Sequence, residues 1–254
     1  MKHLSIFLLG FVVLFGASAA FAQNGSLEIV PQEKKYTRTG ADVPDFKKDF
    51  TVRKPVIKTK LDQDVRDHIE DAIDFWRVFE MDLNESLTDY TWLENFDYEV
   101  LYNAKDLLSV RLTAEGSAAY PSTAHRWVTV DTRTGEILTI DDLFTQETQT
   151  GLLKLINQKM LENEAAAIKE DSEVKQALED QRGSYGEDIQ ARAGKLDFDD
   201  ISGFFITENG VTFVYDYGFP HVILALEPSG HYEFTFAEIK PFVASGSLLE
   251  KLVR

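Results

Sequence analysis

Gly203-Phe204-Phe205-Ile206-Thr207-Glu208-Asn209-Gly210-Val211-Thr212-Phe213-Val214-Tyr215-Asp216-Tyr217 is the stretch whose reading decides the fold. Asn-Gly supplies the positive φ angles of a tight turn, and the residues on either side are the β-branched and aromatic types that paired strands favour. A hairpin is therefore expected here, with Asn209 and Gly210 as a two-residue turn and Gly210 at positive φ. Downstream, Phe219-Pro220-His221 breaks the second strand and Pro228-Ser229-Gly230 makes another turn. A strand over 232–236 and a short helix over 237–242 complete this part.

Upstream of the hairpin, strands and helices alternate. Leu108, Val110 and Leu112 alternate with Ser109, Arg111 and Thr113, and the aromatic segment 96–102 precedes them across the loop Asn103-Ala104-Lys105-Asp106. A strand over 126–131 turns through Thr132-Arg133-Thr134-Gly135 into 136–140. A helix over 62–80 is indicated by Val65, Ile69, Ala72, Ile73, Trp76 and Phe79 at helical spacing, with acids between them. A second helix starts near Gln149 with Leu152, Leu153, Ile156 and Met160 on one side. Residues 162–180 hold helix formers but few apolar residues, which predicts an exposed helical excursion, and Gly183, Gly186 and Gly194 mark a loop after it. Hairpin-paired strands interrupted by helices predict an α+β fold: antiparallel sheets with helices packed on one face, in two closely associated halves.

The ends read differently. Lys2 and His3 precede an apolar run over 4–15, and Ala20-Phe21-Ala22 before Gln23 is an A-x-A cleavage site, so residues 1–22 are read as a signal peptide. The apolar run is shorter than the ~20 residues a spanning helix needs. The expected location is periplasmic or secreted after cleavage following Ala22. Residues 23–49, polar and punctuated by Gly25, Pro31, Gly40 and Pro44, are read as a mobile arm. The first half of the module is assigned to 50–130, the second half to 131–245, and a C-terminal tail to 246–254.

The 254-residue chain carries a formal net charge of −17, and loss of Lys2 with the leader makes it one unit more negative. Such a charge repels phosphate backbones and anionic lipid, so neither nucleic acid nor an anionic membrane surface is an expected partner. The absence of cysteine removes thiol catalysis, thiolate metal sites and disulfides together.

The remaining chemistry is sparse. His68-Ile69-Glu70 is not H-E-x-x-H, and no other histidine has a partner at metal-ligand spacing. No G-x-S-x-G turn is present, so Ser117 and Ser122 near His125 make poor nucleophiles. Asp197, Asp199 and Glu208 fall at three places of a calcium loop, but Ile201 and Ser202 occupy places that need an oxygen ligand and a glycine. Neither a metal nor a cofactor is expected, and no catalytic residue is assigned. Two aromatic groups stand out: Tyr90, Trp92, Phe96, Tyr98 and Tyr102, then Phe213, Tyr215, Tyr217, Phe219 and Tyr232. Core packing accounts for most of them. Tyr120, His125 and Arg126 around one loop, and Phe219 and His221 in another, are the candidate ligand-binding residues.

Tyr98-Glu99-Val100-Leu101-Tyr102, Leu108-Ser109-Val110-Arg111, the segment 120–125, Val130-Asp131-Thr132-Arg133-Thr134-Gly135 and Leu138-Thr139-Ile140-Asp141-Asp142-Leu143-Phe144 together resemble one known paired module. Phe204-Phe205-Ile206-Thr207, Gly210, Phe213, Tyr215 and the closing 233–240 fit its second half. That module occurs in the extracellular part of the lysozyme-sensing anti-sigma factor and ahead of the catalytic domain of some peptidoglycan deacetylases. The resemblance spans about residues 52–242 and implies an α+β fold and a protein-binding activity. With a signal peptide expected ahead of the module and no deacetylase domain expected after it, neither direct sigma control nor deacetylation is carried over.

Two functions are therefore expected to compete. One is a non-catalytic binding module at the cell envelope, recognising a basic protein such as a lysozyme-type muramidase, or peptidoglycan glycan. The other is a carboxylate-based enzyme acting on cell-wall polymer, which needs two acids opposed across a cleft.

Overall fold

A computed structural model describes residues 26–88, 92–184 and 195–254, so the leader, Tyr90 and the glycines at 186 and 194 lie outside the described residues. The first half contains β1 (Ile29–Thr37), β2 (Asp49–Ile57), α1 (Gln63–Ala72), α2 (Phe75–Val78), α3 (Leu83–Thr88), β3 (Leu93–Ala104), β4 (Leu107–Ser117) and β5 (Pro121–Asp131). The second half contains α4 (Ile140–Leu143), α5 (Gln146–Glu170), α6 (Glu173–Ser184), β6 (Gly203–Ile206) and β7 (Gly210–Val214). After a 3-10 turn at His221–Leu226 come β8 (His231–Thr235), α7 (Phe236–Ile239) and α8 (Glu250–Val253). The fold class is α+β.

Strands β1 to β5 form one sheet in sequence order and β6 to β8 a second. Neighbours pair antiparallel except β2 and β3, which run parallel over Thr51–Asn95 and Val52–Phe96. The parallel junction follows from α1 to α3 intervening, since a helical crossover returns the chain in the same direction. The β3–β4 turn is Lys105-Asp106, both at positive φ (52° and 67°), the geometry that matches the twist of a two-residue hairpin.

Alternation along the strands divides the side chains between two cores. Leu108, Val110, Leu112 and Ala114 of β4 and Val128 and Val130 of β5 pack with Ile69, Ala72 and Ile73 of the α1 region. Asp62 caps α1 by accepting from Asp64 N at 3.0 Å, a contact of about 1 kcal/mol. The second core is built from Leu152, Ile156 and Met160 of α5, Val174, Ala177 and Leu178 of α6, and Phe204, Ile206, Phe213, Tyr232 and Phe234 of the small sheet. Tyr102, Ala104 and Leu107 of the large sheet also lie in this second core, which binds the halves at that end.

Three segments fold differently from expectation. Residues 29–37 are no mobile arm: they pair along β2 from Ile29–Ile57 to Thr37–Asp49. The strand lies at a sheet edge with most of its side chains in water, so it lacks an apolar stripe to reveal it. The buried Arg38 guanidinium fixes the following turn by donating to the carbonyls of Ser86 (3.0 Å), Lys47 (2.5 Å) and Leu93 (2.5 Å). Residues 246–254 are no free tail either, because Leu248, Leu249 and Val253 are buried in the second core and Lys251 Nζ pairs with Asp106 at 2.6 Å. Nor is 162–180 an exposed excursion: α5 runs unbroken to Glu170, and α6 buries Val174, Ala177 and Leu178.

The deciding hairpin is present with its turn one residue earlier. Thr207 N donates to Gly210 O (2.9 Å), which leaves Glu208 and Asn209 as the turn, and Gly210 does not adopt positive φ. Gly210 is needed for another reason. A Cβ there would stand 1.8 Å from the carbonyl oxygen of Phe234 on the neighbouring β8.

Candidate functional site

The face of β4 and β5 turned away from α1 carries Arg111, Thr113, His125 and Trp127, since successive side chains on a strand point to opposite faces. Small-sheet residues meet this face. The Trp127 ring stacks on Phe205 (6.1 Å between centroids, 16°) and meets His231 edge-on (5.8 Å, 84°). Gly203 makes room for the indole, because a Cβ there would lie 3.2 Å from Trp127 Cε3. Further along, Ile206 N donates to Ser109 Oγ (3.1 Å), which also lies 3.0 Å from Thr129 Oγ1. The joint between the halves thus runs the length of β5, from the apolar contacts of Leu107 and Tyr102 to the hairpin tip.

At that tip two segments distant in sequence come together. The Tyr120 ring stacks on His221 (4.6 Å, 19°), so one residue from each half forms a single exposed aromatic pair. Tyr120 is 58% exposed, and Val222 and Leu224 on the same 3-10 turn as His221 are 82% and 51% exposed. The turn carrying Phe46, itself 82% exposed, is tied to this end of the sheet, since Lys47 Nζ donates to Ser117 O at 2.7 Å. Lys47 also pairs with Glu94; that contact and the Ser117 hydroxyl hold the Glu94 carboxyl below its usual range.

The structure sorts the five candidate residues into different environments. Tyr120 and His221 are brought together. His125 stands behind them on β5, with Nδ1 3.0 Å from Thr113 Oγ1 and its ring 6.0 Å from that of Trp127. Arg126 projects to the opposite face, its guanidinium 5.5 Å from the centre of the Phe79 ring. Phe219 is only 7% exposed and packs in the second core against Tyr217, so it is not at the surface. Its sequence setting beside Gly218 and Pro220 reads as a loop, but the backbone turns this ring inward. Sequence reasoning passed over Val222 and Leu224; the run His221-Val222-Ile223-Leu224 looks like core, and only the 3-10 turn exposes alternate members of it.

The serines near His125 are already engaged: Ser122 Oγ accepts from the Trp92 indole (2.8 Å), and Ser117 Oγ donates to Glu94. Asp197, first of the calcium-like positions, caps a 3-10 turn by accepting from Asp199 N (3.1 Å).

A groove of about 900 Å3 runs beside β8, between the C-terminal half of α5 and the 225–229 segment. Glu170, Glu227, Glu233 and Glu238 line it together with Lys159 and His231. Two of these acids have structural duties. Glu227 accepts from Phe219 N (3.0 Å), and Glu238 caps α7 by accepting from Thr235 N (2.7 Å). Burial pushes the Glu227 carboxyl up, with the Phe219 N–H acting against it.

No protein family matches the sequence, and no curated protein does. Solved structures do. A DUF3298-family protein from Bacteroides fragilis NCTC 9343 superposes with a TM-score of 0.58 at 17% identity, covering 91% of this chain and 99% of its own. A DUF3298-family protein from Pseudomonas aeruginosa PAO1 gives 0.54 at 11% identity, covering 88% and 96%. Across nearly its whole length, then, the chain has the fold seen in structures of the DUF3298 family.

Proposed function

We propose that this chain is an exported, non-catalytic binding module of the cell envelope whose contact surface is the end where the β4–β5 hairpin meets the 221–226 turn. The observation that carries the reading is the Tyr120–His221 stack with Val222 and Leu224 exposed on the same turn. Apolar side chains left in water forgo roughly 25 cal/mol per Å2 of stabilisation, which a partner that covers them recovers. Aromatic anchors give large contact area at low entropic cost and dominate interface energetics. A chain of net charge −17 attracts a basic partner by steering, which suits a lysozyme-type muramidase better than an uncharged glycan.

The rival reading, a carboxylate enzyme on cell-wall polymer, has the groove beside β8 as its natural seat. The hydrogen bonds of Glu227 and Glu238 to backbone N–H groups count against these two as a free acid–base pair. Calorimetric titration with lysozyme at physiological salt distinguishes the readings. Binding is expected, with Tyr120→Ala weakening it about tenfold or more. Equal binding by an unrelated protein of the same net charge, or an unaltered affinity in the variant, would remove the muramidase reading. Binding of peptidoglycan fragments in place of lysozyme would favour the glycan.

A further inference from the structure

We infer that the joint between the two halves is proton-sensitive at one end only: protonation of His125 beside Arg111 and His231 loosens the contact of β5 with the small sheet around Trp127, while the Leu107 end stays closed. The inference concerns regulation of the surface proposed above and rests on that reading only for its functional consequence.

The geometry is specific. His125 on β5 and His231 on β8 approach Trp127 from different sheets, at 6.0 Å and 5.8 Å between ring centres, and Phe205 closes the cluster 6.0 Å from His231. Charged groups face the pair from both sheets, and Lys159, Glu170, Asp171, Glu227 and Glu238 share the groove that His231 lines. From β4 come Arg111, bound to Glu99 at 2.6 Å, and Glu115; from β8 comes Glu233. The cluster holds more donors than acceptors: Arg111 Nε and Trp127 Nε1 are both buried with no hydrogen-bond partner among the described residues. An added proton converts an imidazole acceptor into another donor and places positive charge beside Arg111.

The direction of the effect follows from the same surroundings. Burial holds His125 below the ordinary histidine value of 6.5, Arg111 and His231 add to this, and Glu115 opposes. His231, exposed on its outer side, is likewise lowered by burial and by Arg111, with Glu233 opposing. The unfolded chain, whose histidines titrate near 6.5, therefore binds more protons than the folded one just below that pH. The stabilisation these groups provide is fully present above about pH 6.5 and is lost as pH falls through their folded midpoints.

Which part opens is set by the other end of the joint. Tyr102, Ala104 and Leu107 are buried in the second core and carry no group that titrates between pH 7 and 5, so they act as the hinge. Loosening at Trp127 separates Tyr120 from His221 and divides the composite surface.

The test needs no partner, so its outcome is independent of the muramidase reading. Imidazole resonances followed from pH 7.5 to 4.5 in the intact protein should give a His125 midpoint below 6.5, shifted upward in His231→Gln. The Trp127 indole signal should move with the same midpoint. Hydrogen exchange corrected for intrinsic rates should show acid-induced loss of protection in residues 121–127 and 203–206 but not in 104–108. In His125→Gln/His231→Gln that loss should disappear. A His125 midpoint at or above 6.5, equal loss at both ends, or the same loss in the double variant would overturn the inference.

Discussion

The two ends of β5 join the same two halves in opposite ways. At the Asp131 end, Leu107, Tyr102 and Ala104 sit inside the second core, and Lys251 closes over Asp106. At the Pro121 end the halves meet through a half-buried indole, two imidazoles and the exposed Tyr120–His221 pair. Contact that is mainly apolar and contains no imidazole gives a joint little altered between pH 7 and 5. Aromatic and imidazole contact gives one that a partner or a proton can alter. The closed end fixes the halves; the open end is where a surface composed of both is available.

Substitutions along the joint should grade accordingly. Leu107→Ala removes a fully buried side chain shared between the sheets and should cost about 3 kcal/mol, measured as a lowered midpoint in urea with unchanged slope. An effect below about 1 kcal/mol would mean that the closed end is not the fixed one. Trp127→Ala takes away a ring that is only half-buried, so the loss should be smaller, about 2 kcal/mol. Tyr120→Ala should change stability by no more than about 0.5 kcal/mol while still weakening the partner's binding. A large loss of stability there would assign Tyr120 to the fold instead of the surface.

The same contrast explains what the sequence made legible. The large sheet and α1 were readable because each has one apolar and one polar face, so Leu108, Val110 and Leu112 or Val65, Ile69 and Ala72 recur at the expected periods. Strand β1 escaped notice because an edge strand rich in Lys and Glu has no apolar stripe, and its partners on β2 are nonlocal. The segment 203–217 announced a hairpin correctly, yet the reason for Gly210 was a close approach of β8, which no local pattern encodes. Leu248 and Leu249 follow Gly246 and read as a tail until the second core is there to receive them. At the candidate site, two loops were recognised as sites for exposed aromatic groups, and Tyr120 and His221 do meet. That Phe219 turns inward while Val222 turns outward is set by one 3-10 turn, a matter of backbone geometry with little trace in composition.

The most direct test of the central claim is a hydrogen-exchange footprint of lysozyme on the intact protein at physiological salt and pH 7.5, above the window in which the joint titrates. New protection is expected in residues 117–122 and 221–226, with none added at 104–108 or 248–253, where the backbone is already closed off. Protection confined to the groove beside β8, or no protection anywhere while lysozyme is bound in excess, would contradict it.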